Sequence, residues 1–190
     1  MQIARVLPIQ NRAAVFGLAL ALLVFCPAVR AQKVPAAEVW AGYSNLRFDS
    51  TTLGFSDHTN LNGWNIGASL PDLYQGFGVA VDISGHYTSQ LEEYNFLIGP
   101  QYSFEWKRFR LYGHGLFGKA RTRLREPGST ELEPSNLSRA FAFGGGLDMP
   151  LGGKISFRVV QADYLRTSAF GGTQGNLRLS TGIIYRFGKH

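Results

Sequence analysis

The chain has almost no cysteine: Cys26 is the only one in 190 residues. It lies in a segment with the layout of a secretory signal, in which a basic start precedes an apolar stretch over residues 13–24. We therefore expect residues 1–31 to be a cleavable signal peptide, with an uncleaved anchor as the alternative. Residues 32–190 contain no cysteine, which excludes disulfides as a source of stability after export.

Motifs for catalysis, metal binding and nucleotide binding are also absent. No CxxC, HExxH, Walker or dinucleotide signature occurs, and the four histidines are widely separated. The formal charge of +6 falls to +3 once the three arginines of the signal are removed, and the remaining basic residues form no stripe. These absences predict no metal, no cofactor, no nucleic-acid partner and no enzymatic activity.

Aromatic residues and glycines are plentiful, and they alternate along the chain. Residues 77–87 read FGVAVDISGHY, with bulky apolar side chains on one set of alternate positions and mostly small or polar ones on the other. Alternation with a period of two is typical of a strand with one apolar face. Eight such strands are predicted, over residues 38–48, 62–70, 77–87, 93–104, 110–120, 139–149, 154–165 and 176–187.

Two of the predicted strands depart from simple alternation. In the fifth strand, Leu116 and Phe117 are both apolar, so the sequence leaves its register open. In the seventh strand, the alternation slips by one near Val160, which indicates a β-bulge that returns Gln161 and Asp163 to the polar face.

The predicted connections alternate in length between the two ends of the sheet. Short turns over residues 71–75, 105–109 and 150–153 follow the second, fourth and sixth strands. Longer links follow the first, fifth and seventh, and a short one follows the third. This layout is typical of an antiparallel up-and-down transmembrane barrel with both termini on the periplasmic side.

The orientation of the two faces decides between a membrane barrel and a soluble one. An eight-stranded barrel has an interior only just wide enough for side chains, so the bulky aromatic residues cannot all point inward. We therefore predict that they face lipid, with some forming girdles at strand ends. A secreted lipocalin-like barrel, with a polar exterior, is the alternative. The outward aromatic residues are Trp64, Phe77, Phe96, Tyr102, Phe104, Phe141, Phe143, Phe157, Tyr185 and Phe187.

The opposite faces carry charges of both signs, which must pair inside a packed lumen because an unpaired buried charge is costly. We predict a salt-bridged plug, and the alternative is a narrow path for ions or small solutes. His86 joins this group, and Ser84 and Asp82 beside it are the residues on which an enzyme hypothesis would depend. The predicted network consists of Glu38, Asp82, Asp148, Arg158, Asp163, Arg178 and Arg186.

The end of the chain resembles a known signal. Ser180, Gly182, Tyr185 and Phe187 are similar to the pattern that the barrel assembly machinery of outer membranes reads, although three more residues follow here. Together with EVWAGYS at residues 38–44, FGGGLD at 143–148 and RVVQADY at 158–164, this run resembles the small outer-membrane β-barrel domains of the OmpA/OmpX type. We expect no peptidoglycan-binding domain to accompany the barrel.

The resemblance implies a monomeric barrel in a Gram-negative-type outer membrane, inserted with the help of periplasmic chaperones and the assembly machinery. It implies a structural or surface-interaction role rather than a single biochemical activity. The expected partners are outer-membrane lipids. We expect the predicted loop over residues 121–138 to be solvated, and the alternative is that its Arg121, Arg123 and Arg125 bind lipopolysaccharide phosphates.

Overall fold

A computed structural model describes residues 37–48, 59–89, 91–124, 136–168 and 173–188, and it contains eight strands. Consecutive strands pair antiparallel and the last pairs with the first, so the sheet is a closed barrel. The predicted fold and number of strands are confirmed. The predicted signal peptide lies outside the described residues. The strands are β1 (Ala37–Phe48), β2 (Thr59–Tyr74), β3 (Phe77–Tyr87), β4 (Leu91–Trp106), β5 (Phe109–Leu124), β6 (Asn136–Gly152), β7 (Ile155–Thr167) and β8 (Gln174–Phe187).

Two-residue turns close one end of the barrel, after β2, β4 and β6. Gln75, Lys107 and Gly153 adopt positive φ angles there, of 49°, 57° and 56°. Positive φ angles match the twist of tight antiparallel hairpins. Since β2 runs antiparallel to β1 and ends at a short turn, β1 begins at this end of the barrel. β8 ends here too, where Phe187 pairs with Ala37.

All three predicted short turns were too long, because β2, β4 and β6 run on to Tyr74, Trp106 and Gly152, and the clearest error concerns β2. This strand continues past Pro71 to Tyr74, where the sequence suggested a turn over residues 71–75. An irregularity in the pairing with β3 lies between Leu70 and Tyr74 and accommodates the proline, which has no N–H to donate to the ladder. The Pro71 carbonyl instead accepts a 3.1 Å hydrogen bond from Ser103 Oγ. β4 likewise runs to Trp106.

The strand pairing shows the register of β5 and the position of the bulge on β7. On β5, Leu116 is buried in the lumen and Phe117 is exposed on the outer wall. On β7, the pairing with β8 shifts between Arg158 and Gln161, so Val159 and Val160 both face outward. The predicted bulge is therefore present.

Bulky apolar residues cover the outer wall. Phe143 is 76% exposed, and the other predicted outward aromatic residues also point away from the lumen, with Phe157 half-buried. Among the residues that the structure describes, no helix is long and apolar enough to cross a membrane.

Candidate functional site in the barrel lumen

The lumen near the short-turn end contains the first of three charged groups. Arg110 on β5 contacts both carboxylate oxygens of Glu38 on β1, through Nη1 and Nη2. Its Nη2 also donates to Asp148 Oδ2 on β6 over 2.8 Å. Arg186 on β8 places its Nε 2.9 Å from Glu38 Oε1. The Glu38 carboxylate thus lies between two guanidinium groups.

The second group surrounds Arg158, which β7 places just before its bulge. Its Nε donates to Asp148 Oδ1 over 3.0 Å, and its Nη1 donates to Gln161 Oε1 over 2.7 Å. The guanidinium carbon lies 4.6 Å from the ring centroids of both Trp40 and Tyr112. Two aromatic rings and a carboxylate therefore stabilise this buried cation.

The third group is centred on Arg178, which is completely buried on β8. Its Nη1 donates to Asp82 Oδ1 over 2.6 Å and to Ser84 Oγ over 3.0 Å. Its Nη2 and Nε both donate to Asp163 Oδ2, at 2.6 and 2.9 Å. The other oxygen of Asp163 lies 2.7 Å from His114 Nε2. One arginine thus joins β3, β7 and β8 across the lumen.

The structure places all seven predicted network residues in the lumen and joins them in ion pairs. It adds two residues that the sequence prediction did not contain, Arg110 and His114. Both lie at even positions of β5, on the same face as the buried Tyr112, so the alternation already contained the signal that would have found them. Among the described residues, these ion pairs join four carboxylates to four guanidinium groups.

A polar layer and then an apolar layer continue the lumen towards the long-loop end. His86 is buried, with Nε2 2.9 Å from Ser44 Oγ, and Ser44 Oγ is 2.8 Å from Ser180 Oγ. Glu93 is also buried and accepts a hydrogen bond from Asn95 Nδ2. Inward apolar side chains lie further along the strands: Leu46, Phe48, Leu61 and Leu165.

The residues of the enzyme hypothesis do not form a catalytic arrangement. Ser84 and Asp82 both contact Arg178, while the imidazole of His86 contacts Ser44 instead. A nucleophile must lie within hydrogen-bond reach of its base, and no such bond joins Ser84 to His86 within the described ranges. Asp57 and His58, an adjacent acid and base in the sequence between β1 and β2, lie outside the described residues.

A cavity of about 380 Å³ opens at the short-turn end and is lined by Glu38, Arg110 and Arg186 among others. The Arg158 and Arg178 groups fill the lumen beyond it. The cavity is therefore a pocket that is open at the short-turn end and is bounded on its inner side by ion pairs.

The predicted assembly-signal residues occupy both faces of β8. Ser180 is buried in the lumen, whereas Tyr185 and Phe187 are exposed on the wall, with ring centroids 4.8 Å apart. Tyr87 and Tyr94, both half-buried, form a similar pair of rings near the other end, at 5.5 Å. Aromatic side chains therefore lie near both ends of the wall.

The closed sheet and filled lumen define the class of small eight-stranded β-barrels. No protein-family model matches the sequence, and no curated protein matches it. The chain is similar in structure to Neisserial surface protein A, at 14% identity and a TM-score of 0.62, over 80% of this chain and 99% of that one. It is similar to Ail, the attachment invasion locus protein of Yersinia pestis, at 19% identity and a TM-score of 0.54, over 80% and 99%.

The N-terminal β-barrel domain of Pseudomonas aeruginosa OprF also matches, at 14% identity and a TM-score of 0.51, over 82% of this chain and all of that domain. At these identities the likeness shows a shared fold. The resemblance to small eight-stranded barrels that the sequence indicated is thus confirmed.

Proposed function

We propose that this protein is a monomeric outer-membrane barrel with a wall that faces lipid, a lumen closed by ion pairs, and a structural or surface-interaction role. The observation that carries the proposal is that charged side chains are buried inside the barrel and bulky apolar side chains are exposed on its outer wall, the reverse of a soluble protein. Arg178 is fully buried, whereas Phe77 on the wall is 57% exposed.

Lipid is the surrounding that this wall requires. In water, so large an apolar surface would promote aggregation, because soluble monomers rarely expose apolar patches of more than a few hundred Å². In a bilayer, the closed sheet satisfies every backbone group and has no free edge. A lipocalin-like protein would present polar residues where this barrel presents phenylalanine.

The ion pairs support a closed lumen over the alternative of a pore. A conducting path needs water beside its charges, but Asp82, Asp148 and Asp163 are each at most 1% exposed and bound to guanidinium groups. The hydrogen bonds also tie the side chains of opposite strands together. We therefore expect no steady conductance, and the proposal includes no catalytic step.

The export signal expected over residues 1–31 and the assembly signal of β8 support an outer-membrane location. β1 begins and β8 ends beside the short turns, which in such proteins face the periplasm. The long connections would then lie on the exterior side of the membrane and carry any surface interaction.

Membrane fractionation combined with gel mobility tests this proposal. The barrel should co-sediment with outer membranes and should migrate differently before and after heating in detergent, because a folded barrel resists the unheated detergent. Recovery in the soluble fraction would contradict the membrane location. Steady single-channel currents in planar bilayers, abolished by Arg158→Ala or Arg178→Ala, would instead identify a pore.

A further inference from the structure

The outer wall carries a cluster of positive charges that takes no part in the ion pairs of the lumen. Four exposed basic residues point outward near the long-loop end of β5, β6 and β7, and a fifth, Arg123, is half-buried opposite Glu92 of β4. We call Lys119, Arg121, Arg139 and Arg166 the basic patch. Within the described ranges no carboxylate forms an ion pair with any of them, and the outward positions of these three strands carry no acidic residue.

The strand pairing places these cations side by side. Lys119 lies directly opposite Arg139, and Arg121 lies opposite Leu137, diagonal to Arg139. Arg166 pairs with Phe141, one outward position after Arg139, and so lies diagonal to Arg139. Directly opposite side chains have Cβ atoms about 5 Å apart and diagonal ones about 7–8 Å, and like charges at such positions destabilise a sheet. Glu92, the outward acid of β4, lies diagonal to Arg121 and not beside the other three. The repulsion among Lys119, Arg139 and Arg166 therefore remains unless an anion neutralises it.

An apolar groove continues from the patch along the outer wall. It has a volume of about 540 Å³ and is lined by Pro100, Gly115, Phe117, Phe141 and Phe143, with Arg166 at its edge. A second hollow of about 280 Å³ shares Pro100, Gly115 and Phe143 with it and extends towards the short-turn end. We call the two together the wall groove.

The wall groove exists because small residues interrupt the aromatic wall. Gly113 and Gly115 are outward positions of β5, and a Cβ atom added to Gly115 would meet no atom within 4 Å. Aromatic rings of β4, β5 and β6 stand on either side. The hollow therefore has the shape of a slot for a flexible chain.

We propose that the basic patch and the wall groove together bind a phosphorylated lipid of the outer leaflet, with its phosphate on the patch and an acyl chain in the groove. Arg166 belongs to both, so one ligand with an anionic head and an apolar tail fits the whole site. Arginine forks bind phosphate oxygens in pairs, which offsets the repulsion within the patch. The inference rests on the proposed function, because only a membrane barrel presents this wall to lipid.

Native mass spectrometry of the full mature chain, folded in zwitterionic detergent, tests the proposal with bisphosphorylated lipid A as the probe. We expect the lipid to remain bound, and the variant K119Q/R139Q/R166Q to bind it about a hundredfold more weakly, because each basic residue near an anionic lipid contributes a factor of about five. The matched control is K107Q/R108Q/K154Q, which removes the same charge from the short-turn end and should bind like the unmodified protein.

Further measurements separate the contribution of the lipid phosphates from that of the acyl chain. Lipid A without its phosphates should bind much more weakly, and inorganic phosphate at equal concentration should not displace the intact lipid. Gly115→Leu should weaken binding by filling the groove, while the heat-dependent mobility of the folded barrel stays unchanged. This variant tests the site even if the triple variant does not fold.

Three results would overturn the proposal: equal loss of lipid in both triple variants, equal binding of the dephosphorylated lipid, or equal competition by free phosphate. The failure of the inference is distinct from the failure of the proposed function. A barrel that sediments with membranes but retains no phosphorylated lipid contradicts only the lipid site.

Discussion

Arginines inside the barrel and basic residues on its outer wall differ in how their charges are neutralised. Arg178 in the lumen has two carboxylates within 2.6 Å and no contact with solvent. Arg139 on the wall is exposed and lies opposite another cation. A buried charge must find its partner within the fold, whereas a wall charge is free to take one from its surroundings. The comparison predicts that removing an arginine is costly inside and nearly neutral outside.

The largest effect is expected from Arg178→Met. The substitution leaves Asp82 and Asp163 without their main cation, and breaking a buried pair in this way typically costs about 3–5 kcal/mol. Urea unfolding in phospholipid vesicles, followed by tryptophan fluorescence, measures the change. Adding Asp82→Asn and Asp163→Asn should restore much of the stability, since the neutral set has no unpaired charge. An unchanged midpoint for the single variant would show that the ion pairs do not hold the barrel together.

A slightly smaller effect is expected when a charge is moved to the middle of the wall. Ile98→Arg places a guanidinium among lipid tails, and we expect a loss of about 2–4 kcal/mol in vesicles. Ile98→Val is the control and should change little. Equal stability of the two variants would mean that water, not lipid, surrounds this wall.

Glycines on the two faces provide a third test. A Cβ added to Gly144, which faces the lumen, would lie 2.2 Å from the Ala162 carbonyl oxygen, so we expect Gly144→Ala to cost about 1–3 kcal/mol. Gly115 on the wall has open space at the same point, and Gly115→Ala should be close to neutral. Thermal unfolding of both variants in one detergent compares them. A more harmful change at Gly115 would contradict the assignment of faces.

The smallest effect is expected for Arg139→Gln in neutral detergent. The side chain is exposed and repelled by Lys119, so its loss should change stability by less than about 0.5 kcal/mol, in the stabilising direction. The unfolding midpoint in the same urea series gives the comparison with Arg178→Met. A large destabilisation would show that Arg139 has a structural partner.

The alternation of residues was sufficient to predict the strands and their faces. A period of two is a local property, so it assigned Phe143 to the wall and Arg158 to the lumen before any pairing was known. The same reasoning located the bulge on β7, because Gln161 and Asp163 had to return to the lumen. It was wrong about Pro71, where a pairing irregularity lets the strand continue through a residue that usually ends one.

The partners inside the lumen were harder to predict. The alternation placed Arg158 and Asp148 on the polar faces of neighbouring strands, and the two residues do form an ion pair. Glu38, however, binds Arg110 from the far side of the barrel. The two residues are 72 positions apart and lie on strands that do not pair, so only the stagger of the closed sheet brings them together.

The order of residues by itself determined an all-β chain with one bulky apolar face and one small, charged face, since side chains alternate along any strand. The tertiary structure alone decided which guanidinium meets which carboxylate, and that Lys119, Arg139 and Arg166 gather beside one groove. The physical reason is that contacts across the lumen and between neighbouring strands depend on the register of all eight strands at closure, which no single segment of the chain specifies.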